Sequence, residues 1–406
     1  MRRSIRMLTP LFAPYRAFFR LPDVTAMVLI AWLSRMPVGM IGLAMVMFMR
    51  ESLGDFKIAG SVVGAYFVSM ALFAPVCGRL IDRIGPHGPL RITGVLHSLF
   101  LGLLFLVVTQ GMSQMVVMLT AAVAGACSPP IAVLTRTLWR HRFNDEVNRR
   151  MAFAVDSIMI ELNFTVGPAF IALVIGGFGA KVAFLLALVA TFVAFVVFLF
   201  TPALRYWQQE PHIERHLLGP LTEPRLVGLF VVTFGLTFSF GILEVGYPAF
   251  ATYLALPVLA GVYLGVNSLG SAVGGAVYGV LHLNAPLERQ FAFAIGIMSI
   301  PFLLHWWVDQ LFVFGVIAFV AGTLIAPALT AQTLLITRIA PHKYATEAFT
   351  WSSTFIVSGI GIGMAAGGAV AELVDVKSTF LLGSIVLAGM SGAALLMAPK
   401  TGHTTA

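Results

Sequence analysis

Five ionisable residues interrupt long apolar runs: Arg35, Arg136, Asp156, Glu161 and Glu244. In hydrocarbon such a charge costs about 2.5–3.5 kcal/mol on the milder insertion scales, so it normally has a partner or a purpose. The chemistry open to them is charge pairing, proton carriage and the binding of an oppositely charged solute. Arg35 and Glu161 lie at similar depth in their runs. Arg35 is eleven residues in, about 16 Å at 1.5 Å per residue. The two opposite charges would meet if these two spans pack together. Gly39 and Gly42 follow Arg35 at i+4 and i+7, a smooth stripe that allows close helix packing. Asp156 lies shallower, about 8 Å in, with Arg136 as its expected partner. Asp156 and Asn163 are seven apart and share a helical face, whereas Glu161 lies about 140° round from Asp156. One acid can then meet a neighbouring helix while the other faces a cavity. Glu244 has no cationic partner in view and is a candidate proton carrier. The competing reading is that both pairs are structural and never release a proton.

Other polar residues in apolar surroundings are candidates for lining a cavity: Tyr66, Asn163, Tyr247, Asn267 and Gln332, with Tyr263 beside them. His97 and His305 are isolated and read as packed or interfacial. There is no phosphate-binding glycine loop with lysine, no zinc spacing and no nucleophile elbow. No cofactor, metal or catalytic residue is expected, and ATP is excluded as a direct energy source. Any driving force must come from an ion or solute gradient.

The elements that hold these residues follow from composition. Hydrophobic residues make up 59% of the 406, charged residues only 10%. An average soluble domain carries about 25% charged residues. Such a chain cannot clothe a globule of this size in polar surface and reads as a polytopic membrane protein. The net charge of +8 is explained by topology and not by nucleic acid, because the basic residues lie between the apolar runs. Cys77 and Cys127 fall inside apolar runs and read as small packed side chains. The run beginning at Val24 is too long for a signal-peptide core, so no cleaved targeting segment is expected.

Twelve stretches are long enough to span: about 24–49, 58–80, 90–110, 112–137, 151–177, 180–201, 225–251, 255–281, 290–308, 310–337, 346–371 and 375–398. They must be helices, because lipid offers backbone groups no partners and the runs exceed barrel strands. Of the 25 Lys and Arg, twenty lie at the termini or after even-numbered spans, four after odd-numbered spans, and Arg35 within one. The positive-inside rule then places both termini in the cytoplasm, in a cell inner membrane. Trp207, Trp306 and Trp307 sit at span ends as interfacial anchors. The stretch "LFAPYRAFFR" before the first span is expected either to lie along the inner surface or to be a disordered basic tail.

The longest polar connection, about 202–224, divides the chain into six spans and six. The expected organisation is an N-terminal segment 1–23, a bundle 24–201, a linker 202–224, a second bundle 225–398 and a tail 399–406. The bundles repeat. A shift of 196 places Gly78 on Gly274, Asp82 on Tyr278, Ala152 on Ala348 and Gly167 on Gly363; a shift of 197 places Pro130 on Pro327. Paired bundles about a central cavity are a transporter architecture.

Between spans two and three the chain reads "CGRLIDRIG". Gly78-x-Leu80-Ile81-Asp82-Arg83-x-Gly85 resembles the loop 2–3 signature of the major facilitator superfamily. The family usually follows it with basic residues, where this chain has "PHGP". The resemblance, with twelve spans in a 6+6 repeat, implies an all-α membrane fold of two pseudo-symmetric six-helix bundles. It also implies a latch: Asp82, with Arg83, holds the start of helix eleven near Thr346 when the cavity opens outward. Gly78 would let two helices approach and Gly85 would permit the turn. The competing reading is that these charges only set topology. "SRMPVGMIGLAMVMFM" and "AFAVDSIMIELNFTVGP" resemble segments of bacterial exporter-like members. Gly167-Pro168 is similar to the span-five antiporter motif, although Ile171-Ala172 stands where that motif has a glycine pair. The implied function is secondary transport of a small molecule, with proton-coupled export favoured, a proton as coupling ion, lipid as surroundings and a monomer as the unit. Uptake of a small organic anion by symport, with Arg35 on its carboxylate, is the alternative. A non-transporting receptor is a third reading.

Overall fold

The structure, a computed structural model, describes residues 15–208, 219–281, 283–341 and 345–397. Regular structure among them is entirely helical. The spans are α1 (Val24–Leu53), α2 (Phe56–Ile84), α3 (His87–Thr109), α4 (Gln114–Ala126 and Ile131–Arg142), α5 and α6 (together Glu146–Leu199), α7 (Pro224–Tyr253), α8 (Val258–Val280), α9 (Leu287–Trp307), α10 (Leu311–Gly322 and Ile325–Ile339), α11 (Ala345–Leu373) and α12 (Val376–Met397). The run Glu146–Leu199 is 54 residues long, about 81 Å as one straight helix. A hydrocarbon core is about 30 Å thick. The run turns back at Gly179, whose φ of 84° only glycine adopts without strain. That makes twelve crossings, with the start of α1 and the end of α12 on one side, called here the terminal face. The opposite side is the far face.

α4 and α10 are both broken, at Cys127–Pro130 and at Thr323–Leu324. Proline removes a backbone donor and clashes with the preceding turn, which explains the break before Pro130. The pairing of helices within the halves is equivalent: α1 on α5, α2 on α4 and α3 on α6 in one, α7 on α11, α8 on α10 and α9 on α12 in the other. Glycines let backbones touch inside each half. A β-carbon on Gly39 of α1 would strike the Asn163 carbonyl of α5, and one on Gly167 would meet Gly39. Gly363 of α11 and Gly241 of α7 make the matching contact in the second half.

Between halves, α2 packs on α11 and α5 on α8. Gly60 and Gly64 of α2 lie against the backbone of Met364 and Gly361, and Gly261 of α8 against Pro168 and Ala172. These contacts lie toward the far face. Toward the terminal face a β-carbon on Gly78 or Gly279 would meet nothing within 4 Å. Gly78 was expected to bring two helices together; in this conformation the close approach is made a few turns earlier, by Gly60 and Gly64. The close backbone approaches between halves that involve these glycines therefore lie toward the far face.

Before α1, residues 15–20 do not simply lie on a surface. Phe18 is 1% exposed and packs on Phe143 (5.6 Å between centroids) and Trp139 (6.3 Å). It plugs the base of the first half, while Phe19 and Arg20 face outward. Residues 11–14 of that stretch lie outside the described residues. In the second half the far-face core is aromatic: Phe250, Tyr247, Tyr263, His305, Phe314 and Phe380.

Candidate functional site

The charged centre of the first half joins three helices. Arg35 of α1 donates from Nη2 to Asp156 Oδ1 of α5 at 2.6 Å, and Arg136 of α4 donates from Nε to Asp156 Oδ2 at 3.4 Å. Asp156 and Arg35 are buried, their side chains 1% and 4% exposed, whereas that of Arg136 is 58% exposed. Arg136 thus meets Asp156 as its position in α4 predicts. Among the described residues the ion-pair partner of Arg35 is Asp156. The reason is side-chain direction. Helical side chains lean toward the helix N-terminus. Arg35 Nε bonds back to the Ala31 carbonyl at 2.8 Å, one turn down. That carries the guanidinium to the level of Asp156, about 7.5 Å below Glu161 along α5. The Glu161 side chain lies outside the described residues. Arg35 Nη1 is buried and has no hydrogen-bond partner among them. Among the described residues the centre therefore holds two cations against one anion, and a spare donor.

Glu244 stands apart. It is half-buried on α7 and forms neither a hydrogen bond nor an ion pair among the described residues. Its Oε2 lies 3.7 Å from the point where a β-carbon on Gly42 of α1 would be. The carboxyl therefore packs from one half against a buried glycine of the other. Gly42 has no side chain to cover it.

The polar candidates are buried inside their own halves. Asn163 donates to the Trp32 carbonyl at 3.5 Å, Asn267 to Ala318 at 2.9 Å, and Gln332 to Ser352 Oγ at 2.7 Å. Each ties neighbouring helices together. Tyr66 packs beside His97, 6.0 Å between centroids, and Tyr247 lies in the far-face aromatic core with its hydroxyl unpartnered. The Tyr263 hydroxyl donates to the Leu311 carbonyl at 3.4 Å. His97 and His305 are packed, each with Nδ1 at 2.7 Å from a carbonyl, of Ala124 and Pro301. At the end of α2, Gly85 makes its turn with φ of 81°, and neither Asp82 nor Arg83 is free. The Thr346 side chain lies outside the described residues.

One feature is invisible without the fold. Beyond its break, α4 presents Val133, Arg136 and Arg140 outward from its half, and α10 presents Thr330, Thr333 and Thr337. The two sets are related residue for residue by the 197 shift. The α4 stripe carries arginines, one of them paired with Asp156, and the equivalent α10 stripe carries threonines, with Thr333 and Thr337 donating to carbonyls of their own helix. The signal was available in the repeat, but not the side of the helix that is uncovered.

This geometry defines a polytopic helical membrane protein of two equivalent six-helix halves, with a charged centre inside the first and the Glu244 carboxyl where the two meet. The family model of the Major Facilitator Superfamily matches residues 27–349, and the chain belongs to that superfamily. It is 26% identical over 175 residues, 42% of each chain, to the "Uncharacterized MFS-type transporter y4rN" of Sinorhizobium fredii (strain NBRC 101917 / NGR234). The fold is similar to the crystal structure of nucleoside transporter NupG, with TM-score 0.73, 12% identity, and 93% of this chain and 99% of that one covered. It is similar also to a bacterial homologue of the iron transporter ferroportin in an inward-facing state, with TM-score 0.69, 14% identity, and 92% and 99% covered.

Proposed function

We propose that the protein is a proton-coupled exporter of a small, partly apolar compound, working by alternating access as a single chain in a cell inner membrane with both termini in the cytoplasm. Residues 24–201 and 225–398 are the two moving lobes. On that reading the far face is external, and substrate enters between the lobes from the cytoplasm. The observation that carries the coupling is Glu244: an acid without a partner, aimed at Gly42 of the opposite lobe. Charged, it opposes closure of a dry gap around it; protonated, it does not. A proton taken up from outside and released inside would then return the lobes for the next substrate. The bias of Lys and Arg toward one face supports the orientation, and the exporter-like stretches of α1 and α5 support the direction.

A second reading, uptake of a small organic anion with protons, draws support from the centre of Arg35, Asp156 and Arg136, with its spare Nη1 donor. Reconstitution separates the two. A pH probe is enclosed in inverted vesicles, and metabolites and drugs that raise the melting temperature of the purified protein are added in turn. Export predicts substrate-dependent loss of internal protons, and the Glu244→Gln variant should abolish that proton signal. A wild-type signal of opposite sign would favour anion uptake, and an unchanged profile in Glu244→Gln would remove Glu244 from the mechanism.

A further inference from the structure

The far end of α2 carries a contact that no sequence feature announces. The first backbone N–H of the helix, at Phe56, donates to Glu372 Oε2 at 3.1 Å. Glu372 belongs to the last turn of α11, in the opposite half. Asp55 of α2's own cap takes the Ile58 N–H at 2.5 Å, so the helix start is served by one carboxylate from each half. Helix N-termini carry unsatisfied donors and partial positive charge, which favour a carboxylate. Both backbone groups of Phe56 face α11, because a β-carbon on Gly368 would strike the Phe56 carbonyl. Directly below, Gly60 and Gly64 bring the two backbones together.

We propose that Glu372 is a latch that holds the far face closed, and so a positioning residue for the transport cycle; this rests on the alternating-access reading. Removing its carboxylate leaves the glycine contact intact but frees the start of α2 to water. The far face then separates more readily. The latch expected at the other face joins the same two helices with roles exchanged: there Asp82 of α2 serves the start of α11. Each helix would lend its N-terminus at one face and a carboxylate at the other.

The test uses the full chain in nanodiscs with Cys77→Ala and Cys127→Ser, and spin labels at Met112→Cys and Leu256→Cys, exposed far-face turns of opposite halves. Pulsed electron paramagnetic resonance then reads the population of long far-face separations. Glu372→Ala should raise the ratio of long to short separations about two- to fivefold, the range of a carboxylate's effect at a helix N-terminus. Glu51→Ala is the matched control. Glu51 Oε2 accepts from the Ala180 N–H at 3.2 Å, a carboxylate on a helix start within one half. It should leave the separation unchanged. Equal shifts in both variants, or none in Glu372→Ala, would overturn the latch. Gly64→Leu, or Gly64→Ala as the smaller change, presses on the Gly361 backbone and separates the halves by steric force. If Gly64 variants open the far face and Glu372→Ala does not, the latch is wrong and the rocking stands. If none opens it, both fall.

Discussion

Asp156 shows what a single buried carboxylate can be asked to hold. It is 1% exposed and shared by Arg35 and Arg136. Breaking a buried pair from one side leaves an uncompensated charge, at a cost of about 3–5 kcal/mol. Asp156→Ala should therefore lower stability by that amount in denaturant titrations of purified protein. Arg136→Gln should cost about 1 kcal/mol or less, since Arg136 is largely exposed and the water beside it does part of the work of its partner. Combining Arg35→Met with Asp156→Leu should recover most of the loss, because two apolar side chains of similar size leave no stranded charge. If Asp156→Ala and Arg136→Gln cost the same, Asp156 is not the focus described. The pair also shows why position along a helix is a poor guide to contact: Arg35 reaches a residue well below its own Cα.

At the scale of helices, glycines and caps do most of the placing. Gly39 sits under the Asn163 backbone and Gly78 faces open space. Gly39→Ala should cost about 1–3 kcal/mol as overpacking between α1 and α5. Gly78→Ala should be neutral or stabilise by about 0.5–1 kcal/mol, since it only removes helix-interior flexibility. A melting-temperature comparison of the two variants checks both, and similar losses would contradict the packing. At the start of α12, Asp375 accepts from Ser378 Oγ at 2.5 Å and from Ser378 N at 2.9 Å. These bonds, the side-chain one first, hold its carboxyl below the usual Asp range. A depressed value means that the folded state favours the charged form. The contribution to stability is present above the unfolded pKa of about 3.9 and is lost as pH falls through the folded value. Asp375→Ala should therefore melt lower than wild type at pH 7, with the difference closing as pH is taken below about 4. A gap that persists or widens in acid would show that Asp375 acts through packing.

For the whole molecule the outstanding quantities are which face is outside and how the halves move. A cysteine replacing Lys57, exposed at the far face, should react with a membrane-impermeant thiol reagent on intact cells, and one replacing Arg91 should not. The reverse pattern would invert the orientation and the direction of transport argued from it. Much of this molecule was written in its residues. Twelve apolar runs, the 6+6 repeat and the stretch Gly78–Gly85 follow from hydropathy and spacing, because a bilayer demands helices of set length and a turn demands particular residues. Arg136 beside Asp156 was legible for the same reason: the two sit at one depth on adjoining spans. Folding alone decided the rest. It turned Arg35 down to Asp156, set Glu244 against Gly42, put Phe18 into the base of the first half and brought Glu372 onto the start of α2. Each of these depends on the rotation of a helix about its axis and on which backbone approaches it. Rotation is settled by packing across distant parts of the chain, and one helix's periodicity cannot reveal what lies on the other side of its contact.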